Sequence, residues 1–139
     1  MLALIRTIGD PAEEFVQTVS GLDDLIGKIR DLLSICREKH HACQAGRNPP
    51  CLPKRLVHVK CNSFDYVTLY EPQEQEREDY TALSYCWGDD QDVLTTTETI
   101  EQHRKGLPIV TLLKTIRDAV ELTRRLDIPY LWIDALCIV

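Results

Sequence analysis

Two stretches decide how this chain folds: Thr81-Ala82-Leu83-Ser84-Tyr85-Cys86-Trp87 and Tyr130-Leu131-Trp132-Ile133-Asp134-Ala135-Leu136-Cys137-Ile138. The first alternates. Leu83, Tyr85 and Trp87 share one face, and Ala82, Ser84 and Cys86 share the other, where their small size leaves room for a close helix. A charged run precedes the stretch and Gly88-Asp89-Asp90 follows it, which bounds a strand. The second stretch is apolar almost throughout, as expected of a strand covered on both faces. Between them Leu112, Leu113, Ile116, Ala119, Val120 and Leu126 recur at helical spacing, and Pro129 stops the pattern. Strand, crossover helix and strand make a βαβ unit with parallel strands and a right-handed crossover. The predicted fold class is therefore α/β.

Working outward, residues 98–105 read as a short helix ended by Gly106. Residues 55–60 and 66–70 alternate with Val57, Val59, Val67 and Leu69 inward, and Asn62-Ser63-Phe64-Asp65 between them is turn-like. This predicts an antiparallel hairpin ahead of the parallel sheet. The charged stretch 73–79 reads as locally disordered. Residues 46–53, which contain Gly46, Pro49, Pro50 and Pro53, read as a linker. Residues 1–45 read as a helical region, with Asp10-Pro11-Ala12-Glu13 as one helix start and Ser20 as a cap for the next. In that second helix, 22–36, Leu22, Leu25, Ile26, Ile29, Leu32, Leu33 and Cys36 form one apolar stripe. The stripe packs on its own domain, or it docks a partner or a second copy.

The 139 residues are 44% hydrophobic and 27% charged, which suits one globular domain. A net charge of −6 with scattered Lys and Arg argues against a phosphate-tracking surface, so no nucleic acid is expected as a partner. The one dense basic pair, Arg124-Arg125, reads as a solvated helix face. No stretch reaches the roughly 20 apolar residues of a membrane span. The first residues lack a secretory pattern, so a cytoplasmic, reducing location is expected. The six cysteines then read as thiols or ligands, and no Cys-x-x-Cys pair occurs. Neither a P-loop nor a Gly-x-Ser-x-Gly elbow is present.

The segment Tyr80-Thr81-Ala82-Leu83-Ser84-Tyr85-Cys86-Trp87-Gly88 resembles the first block of the fungal heterokaryon incompatibility (HET) domain. Leu131-Trp132-Ile133-Asp134-Ala135-Leu136-Cys137-Ile138 resembles its second block. Leu107-Pro108 and Thr115-Ile116-Arg117-Asp118-Ala119-Val120 fit between them. Cys36-x3-His40-x2-Cys43 and Leu52-Pro53-Lys54-Arg55-Leu56 resemble the lead-in of many such proteins. The resemblance spans about residues 36–139, with the domain part at 54–139. It implies a role in non-self recognition leading to growth arrest or cell death. HET domains are similar to Toll/interleukin-1 receptor (TIR) domains, which implies a flavodoxin-like parallel sheet and, as the alternative function, a TIR-like NAD-cleaving enzyme, with NAD bound by a complete domain. In the family the second block is followed by an acidic, Gln-containing segment. The chain is therefore expected to be a fragment of the domain, without turnover of its own.

Candidate site residues follow from the sheet. Ligands of open α/β sheets sit beyond the carboxyl ends of the strands. There Trp87 could stack on a ring, Gly88 permits a tight turn, and Asp89, Asp90 and Asp134 could accept ribose hydroxyls. The plainer reading is core packing for Trp87 and Trp132 and a solvated turn for the aspartates. Asp134, on an apolar strand, must be paired, and it is expected to anchor the loop after Trp87. Cys36, His40 and Cys43 make a second candidate, a zinc site with His41, Cys51 or Cys61 as the fourth ligand, although the spacing fits no standard finger. Cys86 and Cys137 sit in apolar strands and read as inert thiols.

Overall fold

The structure is a computed structural model, and it describes residues 2–5, 21–40, 49–61, 63–86 and 93–139. The chain divides into two compact units, one of Met1–Ile5 with Pro50–Val139 and one of Arg6–Pro49.

The first unit is built on a sheet. Its strands are β1 (Leu2–Ile5), β2 (Leu56–His58), β3 (Tyr66–Tyr70), β4 (Tyr80–Ser84), β5 (Leu107–Pro108) and β6 (Tyr130–Ile133). Their order is β1-β4-β6-β2-β3-β5. The predicted βαβ core is present. β4 and β6 pair in parallel, Tyr80 opposite Tyr130 and Leu83 opposite Ile133. β1 adds a further parallel strand, Leu2 opposite Thr81. The predicted hairpin is present too, with Leu56 opposite Tyr70 and His58 opposite Thr68.

The sheet differs from a purely parallel one because β2 joins β6 directly. Val57 lies opposite Leu131 and His58 opposite Tyr130, antiparallel. The Val59 amide extends this seam to the Pro129 carbonyl at 3.0 Å. The hairpin is thus the antiparallel half of one mixed sheet. At the N-terminus, Leu2–Ile5 is a strand where a helical pattern was expected; four apolar residues carry too little periodicity to separate the two. The expected helix start at Asp10 and the cap at Ser20 lie outside the described residues.

One face of the sheet is the core. Val57, Val59, Val67, Leu83, Leu131 and Ile133 point into it, all at most 5% exposed. Helix α3 (Lys114–Arg125) covers this face with Ile116, Ala119, Val120 and Thr123. Full burial of a residue such as Ile116 or Val120 contributes about 1.5–3 kcal/mol. The helix lies on the Thr81/Leu83 side of β4. The small-residue side, Ala82, Ser84 and Cys86, is the more exposed one. The reason is polar as well as apolar. The hydroxyls of Thr81 and Thr123, both fully buried, meet at 2.7 Å, and Thr81 also reaches the Tyr130 carbonyl.

Helix α3 is a turn shorter than its apolar spacing suggests. Ile109–Thr111 is a 3-10 turn closed by the Thr111 hydroxyl on the Pro108 carbonyl at 2.7 Å, and buried Leu112 is extended. At its other end Asp127 adopts φ 66°, which breaks the helix before Pro129. Lys60 binds the Asp127 carbonyl and carboxylate and holds that turn. Helix α2 (Ile100–Lys105) ends at Gly106, whose φ of 154° suits glycine.

Two stretches behave unlike their composition. Arg124 is no solvated cation. Its guanidinium donates to the carbonyls of Val59 (2.6 Å), Phe64 (2.8 Å) and Tyr66 (3.0 Å), fixing the turn of the hairpin on the end of α3. Arg125, in contrast, pairs with Glu121 at the surface. The 73–79 stretch is ordered by Glu76. Its carboxylate accepts from the Tyr70 hydroxyl at 2.9 Å and the Gln73 amide at 2.9 Å, and its carbonyl accepts from the Leu52 amide. On this second face Tyr70 stacks on Tyr130 with ring centres 5.1 Å apart, and His58 lies 5.3 Å from Tyr130. The Glu76 contact, then burial, pushes the Tyr70 hydroxyl up to about 12.

In the second unit, helix α1 (Leu22–Lys39) confirms the predicted 22–36 helix and runs one turn further.

Thr81→Val or Thr123→Val alone should cost about 1–3 kcal/mol, since each strands a buried hydroxyl. The double variant should cost clearly less than the sum of the two. Denaturant melts of the four proteins check this, and strict additivity would show that the hydroxyls do not interact.

Candidate functional site

The carboxyl ends of β4 and β6 lie side by side, each inside one of the two motif blocks. β4 runs out at Ser84, leaving Tyr85 half-buried and Cys86 exposed. β6 stops at Ile133, and helix α4 (Asp134–Cys137) begins there. The expected strand over 130–138 is thus corrected to a strand followed by one helical turn. A short apolar run cannot by itself tell a strand from a buried helix segment.

Local bonds explain the change. The Asp134 carboxylate accepts the Ala135 amide at 2.8 Å. The Ile133 amide donates to the Cys137 sulfur at 3.4 Å, and the Ile138 amide to the Asp134 carbonyl at 2.9 Å. Arg55 Nε then donates to the Cys137 carbonyl at 2.9 Å, across 82 residues. A cation at a helix C-terminus is favourable both as a hydrogen bond and against the local dipole. Arg55, its side chain only 12% exposed, continues to Glu71, which also binds Arg104. From the other side the Thr95 amide donates to the Ala135 carbonyl at 3.0 Å. The second block is therefore clamped by Arg55 from before the hairpin and by Thr95 from after the first block.

Titration follows these surroundings. Burial pushes the Cys137 thiol up to about 12, so it stays protonated at neutral pH and is no nucleophile. Burial, then the Asp134 charge, raises the Tyr85 hydroxyl above its ordinary value. His103, 7% exposed, meets the buried Thr95 hydroxyl through Nδ1 at 2.9 Å. Burial lowers its pKa, and that of His58 for the same reason. Beside His103 lies an apolar cavity of about 10 Å3, lined by Val57, Val67, Leu69, Leu107 and Leu136, with room for one water at most.

Of the residues expected to form a ligand pocket, Trp87, Gly88, Asp89 and Asp90 lie outside the described residues. Asp134 is described, at the expected end of β6. Its bond to Ala135 ties it to the turn of its own helix. Of the expected zinc set, Cys36 lies in the last turn of α1 and His40 is its C-cap residue, while His41 and Cys43 lie outside the described residues. Among the described residues no three His, Cys, Asp or Glu side chains gather as a metal site.

Arg55, Thr95, His103 and Arg124 escaped the sequence reading. Arg55, Thr95 and Arg124 act through backbone carbonyls far away in sequence and His103 through a hydroxyl eight residues back, contacts that leave no periodic trace.

The geometry defines a class first: a mixed α/β sheet whose two signature blocks are adjacent parallel strands, closed at one end by a clamped helical turn. Residues 80–139 match the family model of the heterokaryon incompatibility protein (HET). Over that stretch the chain is similar to the heterokaryon incompatibility family. No curated protein and no solved structure matches the chain.

Burial disfavours the charged form of His103 and His58 in the folded state, so the unfolded chain takes up protons first on acidification. Their contribution is complete above the unfolded value of about 6.5 and is lost as pH falls below it. Denaturant melts from pH 7.5 to 5 should show falling stability, with a shallower fall for His103→Gln. A flat or rising wild-type profile would contradict this.

Proposed function

We propose that the protein is a signalling module of fungal non-self recognition, acting in the cytoplasm and feeding a growth-arrest or cell-death response. The observation that carries this reading is the family match over residues 80–139, whose two blocks lie side by side as β4 and β6. Three further features support it. Among the described residues no helix is long and apolar enough to cross a membrane. The net charge of −6 disfavours a nucleic-acid partner. At the strand ends the described thiol with a perturbed pKa, Cys137, is buried and protonated, which suits a packing role. On this reading the module works by contact with other proteins.

Inducible expression of the chain in a filamentous fungus tests the proposal. Hyphal growth should arrest, or vital-dye exclusion fail, at expression levels where an Ile133→Asp variant with a disrupted core grows normally. Unchanged growth, with the wild-type chain present and resistant to limited proteolysis in extracts, would contradict it.

A further inference from the structure

Helix α2 is fixed to the sheet by a titratable anchor. His103 is its one buried side chain. Ile100 is half-buried, and Glu101, Gln102, Arg104 and Lys105 are exposed. A helix of six residues does not hold itself and depends on its packing. The pair of Arg104 with Glu71 adds little, since both groups reach solvent. The docking of α2 on β3 therefore rests chiefly on an imidazole.

That imidazole stands in apolar surroundings. Val57 of β2, Val67 and Leu69 of β3, Leu107 of β5 and Leu136 of α4 line the cavity beside it, with Thr68 and Thr95 as the other members. The titratable groups of these elements are placed elsewhere. His58 of β2 and Tyr70 of β3 lie together on the second face of the sheet. Tyr66 packs at Gly106, and neither Asp134 nor Cys137 of α4 lines the cavity. On α2 itself, Arg104 pairs with Glu101 and Glu71, and Lys105 is exposed. A proton added to His103 finds no carboxylate among the lining residues, and a charge left unpaired in such a place is costly.

His103 also holds a second tie. Its Nδ1 meets the buried Thr95 hydroxyl at 2.9 Å, and the Thr95 amide donates to the Ala135 carbonyl at 3.0 Å. The Thr99 hydroxyl donates to the Leu94 carbonyl and joins the start of α2 to the same segment. Movement of α2 thus acts on the clamp of the second block.

We propose that α2 is an acid-released flap: protonation of His103 undocks α2 together with Thr95, frees the Ala135 carbonyl and opens the apolar wall of Val67, Leu69, Leu107 and Leu136. Burial lowers the His103 pKa, so docking is complete above the free value of about 6.5 and weakens as pH falls below it. β4 and β6 stay paired, because their ladder does not run through α2. The device rests on the packing of His103 and is independent of the signalling reading.

Amide exchange of the isotope-labelled full chain at pH 7.5 and 5, expressed as protection factors, tests the proposal. The amides of Thr95, His103 and Gly106, bonded to the carbonyls of Ala135, Thr99 and Gln102, report the flap. The Val59 amide, bonded to Pro129, reports the core. The flap amides should be less protected than Val59 at both pH values, the mark of a local opening. Their protection should fall about threefold or more between pH 7.5 and 5, and His103→Gln should abolish that fall. A second readout needs no variant: wild type should bind more anilinonaphthalene sulfonate at pH 5 than at pH 7.5 while Leu83–Ile133 contacts persist. Flap amides as protected as Val59, equal protection at the two pH values, the same fall in His103→Gln, or no gain in dye binding would overturn the proposal.

Discussion

β6 is hydrogen-bonded on both sides, and that constraint organises the first unit. Leu131, fully buried, faces Thr81 of parallel β4 on one side and Val57 of antiparallel β2 on the other. A one-residue slip of β6 would turn Leu131 and Ile133 out of the core and bring Tyr130 and Trp132 in. The register therefore fixes the hairpin, the crossover helix and the position of Asp134 together. The Thr81–Thr123 contact adds directionality that apolar packing lacks, because a buried hydroxyl must find its partner.

Two arginines convert that frame into a closed structure. Arg124 ties the end of the crossover helix to four carbonyls around the hairpin turn, and Arg55 ties the hairpin's start to the last carbonyl of α4. A guanidinium suits this work because its fork of donors can serve several acceptors at once. Lysine at either position would supply charge without that geometry. The clamp by Arg55 and Thr95 also explains why the second signature block ends in a helical turn and not in an edge.

Much of this frame was legible in the sequence. Alternation in 81–87, the apolar stretch from Tyr130 and the helical spacing of Ile116, Ala119 and Val120 predict the parallel pair and its crossover, because period and burial are local properties. The hairpin and the α2 cap at Gly106 were legible for the same reason. What stayed hidden was non-local. Nothing in residues 55–60 announces that they pair with β6, so the sheet's mixed character could not be read. Arg124 looked like a surface cation because its acceptors are carbonyls some 58–65 residues away. The break at Asp134 was masked by the apolar run around it. Of the candidate pocket, the placement of Asp134 at the end of β6 followed from strand direction, while its bond to Ala135 belongs to a turn no pattern marked.

The relation between β4 and β6 carries both the fold and the functional reading, since it sets the two family blocks side by side. Cross-strand nuclear Overhauser contacts in the isotope-labelled chain test it most directly. The account predicts contacts that advance in the same sense along both strands: Tyr80 with Tyr130, Ala82 with Trp132, Leu83 with Ile133, alongside Val57 with Leu131. Contacts running the opposite way, Tyr80 with Ile133 and Leu83 with Tyr130, or none between these segments in a folded sample, would contradict it.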